Sequence, residues 1–221
     1  MPTFDENRAA LDDRNLVRKI QKVILVLAPT TVDLPASLYT AGSLIDLKAG
    51  GWLPVGMMSP DGITYGAERE VETVDAFGYS SSVRSDTVRV PRTIAFTPLE
   101  TGRKHIYELR LGTDLTGVTQ DPTTGEIVID EPDLPVDQEY RLLALGSDGP
   151  AAENWILGRG YGRVKLANTA EEVWGGDGAV APQLTLNVFT DDEIGTPVRH
   201  YLAGTGAVAH KVALGFTQAT P

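Results

Sequence analysis

The segment from Leu53 to Gly112 constrains the fold of this chain more than any other part of the sequence. Short strand-like stretches are separated by clusters of proline, glycine and serine, and a helix-like stretch follows them. Such spacing of strands and turns is typical of antiparallel β-structure. The segment offers no nucleophile beside a base and no cluster of metal ligands. It therefore predicts strand pairing and the presentation of surfaces rather than chemistry.

The first half of this segment predicts two strands and a turn. Leu53–Met58 is expected to be a strand that Pro60-Asp61-Gly62 reverses, because these residue types favour turns. Ile63–Phe77 is expected to form one long strand. Alternate residues of a strand share a face, so three carboxylates are expected on one side of it: Glu68, Glu70 and Glu72.

The second half predicts a tip, a strand and a helix. Gly78–Ser82 is expected to be a mobile tip, and Asp86–Phe96 a strand that Pro91 restricts to an edge or a bulge. Thr97-Pro98-Leu99-Glu100 has the pattern of a capped helix start, and Gly112 is a suitable residue to end that helix. The helix is expected to lie on one face of the sheet.

The remaining strands are predicted from apolar alternation and β-branched content. They lie at Val23–Ala28, Glu126–Ile129, Tyr140–Leu145, Gly160–Ala167, Ala181–Phe189 and Lys211–Gln218. Residues 29–51 are expected to form a loop with a short helix or turn near Ala41–Leu47. Residues 1–22 are polar, with local basic charge, and predict an N-terminal arm before one β-domain at 23–221. No function is predicted for the acidic tract 114–139.

The composition excludes several classes of protein. The chain has 221 residues and no cysteine, so disulfides, thiolate metal sites and cysteine nucleophiles are excluded. Its 30 acidic and 19 basic residues give a formal charge of −11, which argues against ordinary nucleic-acid binding. Charged residues near the start exclude a signal peptide, and no apolar run approaches the ~20 residues of a membrane helix. A soluble protein is expected, whose charge serves solubility or keeps a passing polyanion from adhering.

Candidate catalytic and cofactor motifs fail on their context. Gly204–Ala209 matches a dinucleotide-binding pattern, but the required helix and downstream acid do not follow it. The three histidines, His105, His200 and His210, are far apart in sequence and lack partners at metal-ligand spacing. The glutamates at 68, 70 and 72 are interpreted as solvated or as a negative lining rather than as a Ca²⁺ or acid/base site. We therefore predict no enzyme activity and no cofactor.

With these residues laid out, the central segment resembles the major tail protein, or tail tube protein, of long-tailed non-contractile bacteriophages. The resemblance covers residues 20–112 well and beyond them rests on strand pattern and length. The matching features are Leu53-Pro54-Val55-Gly56, Ser59-Pro60-Asp61-Gly62-Ile63-Thr64, the acidic strand Glu68–Asp75, Ser82-Val83-Arg84 and Thr93-Ile94-Ala95-Phe96-Thr97-Pro98-Leu99-Glu100.

This resemblance implies a mainly β fold, a β-sandwich or partly closed barrel with one flanking α-helix. It implies homohexameric rings that stack into a tail tube, whose channel passes viral DNA without sequence preference. Other expected partners are the tape-measure, tail tip and tail terminator proteins, with assembly in the host bacterial cytoplasm, a final place in the virion tail and no membrane insertion. A loop at about 59–85 and the arm would mediate stacking.

The residues expected to act in assembly fall into three groups. The candidate lumen-facing acids are Glu68, Glu70 and Glu72. The candidate ring-stacking residues are Asp61, Tyr79, Ser80, Ser81, Ser82 and Arg84. The candidate contacts of the N-terminal arm are Arg8, Arg14 and Arg18.

Two alternatives stay open at this point. A tail terminator or connector on the same fold would form one ring and stop. A secreted β-sandwich that binds carbohydrate would expose aromatic residues in a groove, whereas the three tryptophans, Trp52, Trp155 and Trp174, are scattered along the sequence.

Overall fold

The computed structural model describes residues 1–136, 138–176 and 178–218, and this part of the chain is mainly β. The strands are β1 (Lys22–Pro29), β2 (Tyr39–Thr40), β3 (Ser43–Leu44), β4 (Leu53–Pro54), β5 (Met58–Ala67), β6 (Glu70–Val74), β7 (Arg84–Arg89), β8 (Arg92–Pro98), β9 (Glu139–Asp148), β10 (Trp155–Thr169), β11 (Leu184–Phe189) and β12 (Arg199–Ala203). The helices are α1 (Phe4–Leu11), α2 (Lys104–Leu111) and α3 (Thr205–Ala209).

Eight of the strands form one antiparallel sheet. Its order is β4-β1-β9-β10-β11-β8-β5, and β12 pairs with the first part of β10. Two small hairpins, β2–β3 and β6–β7, lie outside this sheet. The mainly β fold with a large antiparallel sheet and few helices confirms the predicted fold class.

One core fills the inside of the sheet. Its buried side chains come mainly from five strands and from α2. In β1, β8, β9 and β11 they lie two residues apart because alternate residues share a face, and in β10 a register shift separates Tyr161 and Val164 by three. Strands near both ends of the sheet contribute, so the sheet curls around this core. Its members include Leu25, Leu27, Ile94, Phe96, Ile106, Leu109, Leu142, Val164, Leu184 and Leu186.

A second core covers the opposite face of β1 and β9. There the loop between β1 and β4 lays Leu34, Leu38 and Trp52 against Val26 and Leu143. These two strands are therefore buried on both faces, which explains the nearly continuous apolar run in β1.

The curled sheet is partly closed by the segment that joins β4 to β5. The N–H of Val55 donates to the carbonyl oxygen of Leu25 in β1 at 3.0 Å. Two residues later, the carbonyl oxygen of Met57 accepts from the N–H of Leu99 at 2.8 Å. Between them Gly56 has φ +88°, a left-handed conformation that favours glycine. Residues 55–57 thus connect β1 to the end of β8 across one end of the sheet. We call this curled, partly closed sheet the barrel.

The flanking helix is confirmed, but its predicted start at Thr97 is wrong. Strand β8 continues through Pro98 because this segment pairs with β5. Glu100, expected to complete a capping box, instead accepts a hydrogen bond from the N–H of Met57 at 2.8 Å. The predicted end is confirmed, since Gly112 closes α2 in the left-handed conformation with φ +57°.

Two long strands predicted from the sequence are divided in the structure. Pro60-Asp61-Gly62 does not reverse the chain, because β5 runs through it as a bulge opposite β8. Ile63–Phe77 separates at residues 68–69 into β5 and β6. Asp86–Phe96 likewise separates at residues 90–91 into β7 and β8, and Pro91 has no N–H for a ladder there. The interruption expected at this proline is confirmed.

Some of the remaining predictions are confirmed and others are wrong. The strands predicted within β1, β9, β10 and β11 are confirmed, and so is the turn near Ala41–Leu47, which joins β2 to β3. The strands predicted at Glu126–Ile129 and Lys211–Gln218 are wrong, because both segments are coil and turns. Strand β12 was not predicted. Residues 114–136 of the acidic tract contain no helix or strand, and Asp137 lies outside the described residues.

Candidate assembly surfaces

Strands β6 and β7 form a hairpin that we call the β-arm, residues 70–89. They pair with each other, from Glu70 opposite Arg89 to Val74 opposite Arg84, and every residue of both strands is exposed. Residues 75–83 connect them and contain the predicted tip, Gly78–Ser82. An isolated two-stranded hairpin is at best marginally stable in water, so this arm lacks the packing that usually supports one.

Between its tip and the bulge beside Glu70, the β-arm has one face with charged residues and one face without them. Because side chains alternate along a strand, Glu70 and Glu72 share a face, and Asp86 lies directly opposite Glu72. On the other face, Val71 lies opposite Thr87, and Thr73 is on the same side. The two faces therefore offer different chemistry to a partner.

The three predicted lumen-facing acids do not form one row. Glu68 lies between the strands and donates its backbone N–H to the carbonyl oxygen of Pro91 at 3.1 Å. Glu70 lies 4.0 Å from Arg89 in an exposed ion pair. Glu72 is opposite Asp86, a like-charge pair that disfavours the hairpin, although Arg84 Nε donates to Asp86 at 2.5 Å. Their orientation toward a channel stays a prediction.

The predicted stacking residues lie on two separate parts of the chain. Tyr79, Ser80, Ser81 and Ser82 are exposed at the tip, next to Phe77, whose side chain is fully exposed. Asp61 lies in the β5 bulge on the barrel, where its carboxylate accepts from the Ser59 hydroxyl at 2.8 Å. Arg84 begins β7 at the inner side of the tip.

The N-terminal arm carries a capped helix without a core. Thr3 and Glu6 form a capping box at the start of α1, and the hydrogen bonds from Thr3 lower the pKa of the Glu6 carboxyl. No residue of α1 is buried, and Phe4 and Leu11 are exposed. Arg8 pairs with Asp12 in the next turn at 3.3 Å.

The base of this arm is fixed to the barrel. The guanidinium carbon of Arg18 lies 3.8 Å from the centroid of the Trp155 ring, and its Nη1 lies 3.5 Å from Asp148. The ring of His210, at the end of α3, stacks on the same indole with centroids 5.9 Å apart. Arg18 is thus engaged within its own chain, whereas Arg8 and Arg14 stay exposed. Sequence reasoning missed Trp155 because stacking between distant segments leaves no local pattern.

The described residues offer no candidate metal centre. They contain no group of three or more His, Cys, Asp or Glu side chains placed to hold a metal ion. None of the described helices is long and apolar enough to cross a membrane. No model of a protein family matches this chain, and no match was found among curated proteins. The function therefore has to be inferred from the surfaces themselves.

Proposed function

We propose that this protein is a tail tube subunit of a long-tailed non-contractile bacteriophage. Six copies would form a ring, and stacked rings would form the tube through which viral DNA leaves the particle. The proposal rests on the layout of residues 20–112, on the mainly β fold with its flanking helix, and on surfaces that suit self-association.

The β-arm is the observation that supports this proposal most. Its strands and tip leave several apolar side chains about half exposed or more: Val71, Val74, Phe77, Tyr79, Val83 and Val88. Burying apolar surface stabilises an association by about 25 cal/mol per Å². A hairpin of this kind gains its missing packing when it lies on a neighbouring copy. The uncharged face, with Val71, is the side we assign to that contact.

The sheet has two edges that a ring could join. Strands β4 and β5 end the order of the sheet, and the outer side of each has no partner strand among the described residues. Exposed sheet edges usually carry features that prevent pairing with another chain, such as charged side chains or proline. Edges that pair between subunits do not need such protection. A ring repeats one heterologous contact until it closes, so one edge of each copy would meet the other edge of the next.

The charge of the chain suits a channel for DNA. Six copies of a −11 chain carry a formal −66. Salt screens exposed charges beyond about 10 Å, so only acids near the channel would repel DNA. Glu68 and Glu72 are favoured for this position over Glu70, because Glu70 is the one with an arginine beside it. The ends of such a tube would meet the tape-measure, tail tip and terminator proteins.

Electron microscopy of the purified protein at rising concentration tests the proposal. Hollow tubes with a regular axial repeat are expected. Single rings that never stack would favour the terminator or connector alternative. A persistent monomer would overturn the assembly proposal. The carbohydrate-binding alternative is disfavoured because Trp52 and Trp155 are buried at 5% and 2% exposure, which leaves Trp174 as the one exposed tryptophan.

A further inference from the structure

The barrel has a cleft beside the β5 bulge, on its inner side. The cleft has a volume of about 700 Å³, and its walls come from β1, β5, β9, β10 and β12. Its polar lining includes Tyr65, Arg159 and His200, with Lys22 and Asp61 also present. We call it the barrel cleft. Mouths of barrels are common places for small ligands.

Arg159 is held in this cleft by aromatic rings rather than by a carboxylate. Its guanidinium carbon lies 4.0 Å from the centroid of the Tyr65 ring, and Tyr65 stacks on Tyr161 with centroids 6.4 Å apart. The ion pairs of the described residues do not include Arg159, and its guanidinium also lies beside the Tyr161 hydroxyl. By contrast, Arg163 on the same strand holds Glu139 through two hydrogen bonds of 2.8 and 2.7 Å. The guanidinium of Arg159 therefore keeps its capacity to bind an anion.

The cleft is also locally positive. His200 lies directly opposite Arg159 in the β10–β12 pairing. Burial lowers the pKa of the His200 ring, and the positive charges of Arg159 and Arg92 lower it further. No acid contributes in the opposite direction. Asp61 is the one carboxylate among the lining residues, against the two cations Lys22 and Arg159. A positive site stands out on a chain whose formal charge is −11.

We propose that the barrel cleft binds an anionic group, a carboxylate or a phosphate, with Arg159 as its main ligand and His200 beside it. A guanidinium presents a planar set of donors that matches these oxyanions, and the stack on Tyr65 holds that plane in place. The anion could be a free ion or an acidic side chain of a second copy. The chemistry of the site is the same in both cases, and it does not depend on the proposed function.

Titration with inorganic phosphate tests this site, with sodium chloride at equal ionic strength as the reference. The histidine ring signals are followed by NMR in dilute, unassociated protein, and His200→Gln assigns the signal of His200. We expect a saturable shift of that signal with phosphate. Arg159→Gln should weaken binding by about tenfold or more, as expected for the loss of a charge-assisted hydrogen bond. Arg163→Gln, on the same strand, should leave the affinity unchanged.

Two further measurements distinguish a free anion from an acidic side chain of a second copy, and they check that the Arg159 variants are folded. Arg159→Lys keeps the charge and should retain part of the affinity, with a melting temperature that shows it is folded. In phosphate-free buffer, a rise in the concentration needed for self-association of Arg159→Gln would assign the anion to a second copy. An unchanged concentration would assign it to a free ion. No saturable shift, a shift equal to that with chloride, or equal affinity in Arg159→Gln would overturn the proposal.

Discussion

Arg18 and Trp155 join the N-terminal arm to the barrel, with the guanidinium carbon 3.8 Å from the ring centroid. The two residues are far apart in sequence, and Asp148 pairs with the same guanidinium at 3.5 Å. The arm therefore has a fixed base at Arg18, while α1 stays free of the barrel.

Arg18→Ala should release the base of this arm. A cation–π contact at a partly desolvated site is worth about 0.5–2 kcal/mol, so the free energy of unfolding should fall by roughly 1–2 kcal/mol. Limited proteolysis should cleave residues 1–21 faster than in the wild type. Arg14→Ala is the matched control, because Arg14 is exposed. Equal cleavage rates in the two variants would contradict the anchoring role of Arg18.

A second arginine, Arg141, tests how much the ion pairs beneath the loop that covers β1 and β9 contribute to stability. Arg141 is 2% exposed, and its guanidinium lies 3.6 Å from Asp191 and 3.2 Å from Asp33. Arg141→Met leaves the buried carboxylate of Asp191 without its charge partner, which typically costs about 3–5 kcal/mol. The exposed pair of Arg163 and Glu139 is the comparison, and Arg163→Met should cost about 1 kcal/mol or less. Urea unfolding of both variants measures the difference, and similar losses would refute it.

The stability of the fold should decrease in mild acid because of His105. Its Nε2 lies 2.8 Å from the carbonyl oxygen of Pro54, and burial lowers the pKa of the ring below 6.5. The unfolded chain takes up a proton near pH 6.5 and the folded chain only at lower pH, so this stability is full above that pH and decreases as the pH falls toward the folded pKa. The pKa of His200 is lowered too and acts in the same direction.

Denaturant unfolding between about pH 8 and pH 5 checks this expectation. The free energy of unfolding of the wild type should be nearly level above about pH 7 and should fall below about pH 6.5. His105→Gln should show a shallower fall, because one of the protonation differences is removed. An identical slope in the variant would show that His105 contributes nothing to the pH dependence.

The elements that sequence reasoning predicted well are those with a strong local pattern. Strand β1 is a continuous apolar run, and β9 and β11 contain apolar residues two apart, so burial dictated their conformation. The helix end at Gly112 was equally local. The elements that it missed depend on distant partners. Thr97 and Pro98 have the pattern of a helix start, yet pairing of β8 with β5 holds them extended.

The candidate surfaces follow the same division. The exposed tip at Tyr79–Ser82 follows from its composition, because serine and glycine leave little to bury. The stack of Arg159 on Tyr65 joins residues 94 positions apart, so no local sequence pattern predicts it. Pro60-Asp61-Gly62 shows the opposite error, since turn-forming residues also suit a bulge and only the partner strand decides which forms.

The tip of the β-arm should be required for assembly and dispensable for folding. Deletion of Tyr79–Ser82 leaves every core residue in place, so circular dichroism and the melting temperature should be nearly unchanged. Tube formation, measured by sedimentation and electron microscopy, should be impaired. A Ser80→Ala variant, which removes one hydroxyl, is the control and should assemble normally. Normal tubes from the deletion variant would remove the role given to the tip.

The two faces of the β-arm should differ in their sensitivity to charge. Val71→Asp places a carboxylate on the uncharged face, where contact with a neighbour would have to desolvate it. We expect the concentration needed for assembly to rise by about tenfold or more, since one poorly compensated polar group costs ~1–3 kcal/mol. Glu72→Gln alters the charged face and should leave that concentration within about threefold of the wild type, which is less than 1 kcal/mol. The reverse ranking would show that the charged face makes the contact.

The two breaks that separate the β-arm from the barrel, at residues 68–69 and 90–91, have a mechanical consequence. Strands β6 and β7 belong to their own sheet, so a change in the inclination of the arm opens no core and acts on the joint, where the N–H of Glu68 donates to the carbonyl oxygen of Pro91 at 3.1 Å. We infer that a filament built through such arms bends at its joints while each barrel stays rigid. Images of curved filaments would then show subunits of constant outline connected by arms at varied angles, and deformed barrels would contradict this.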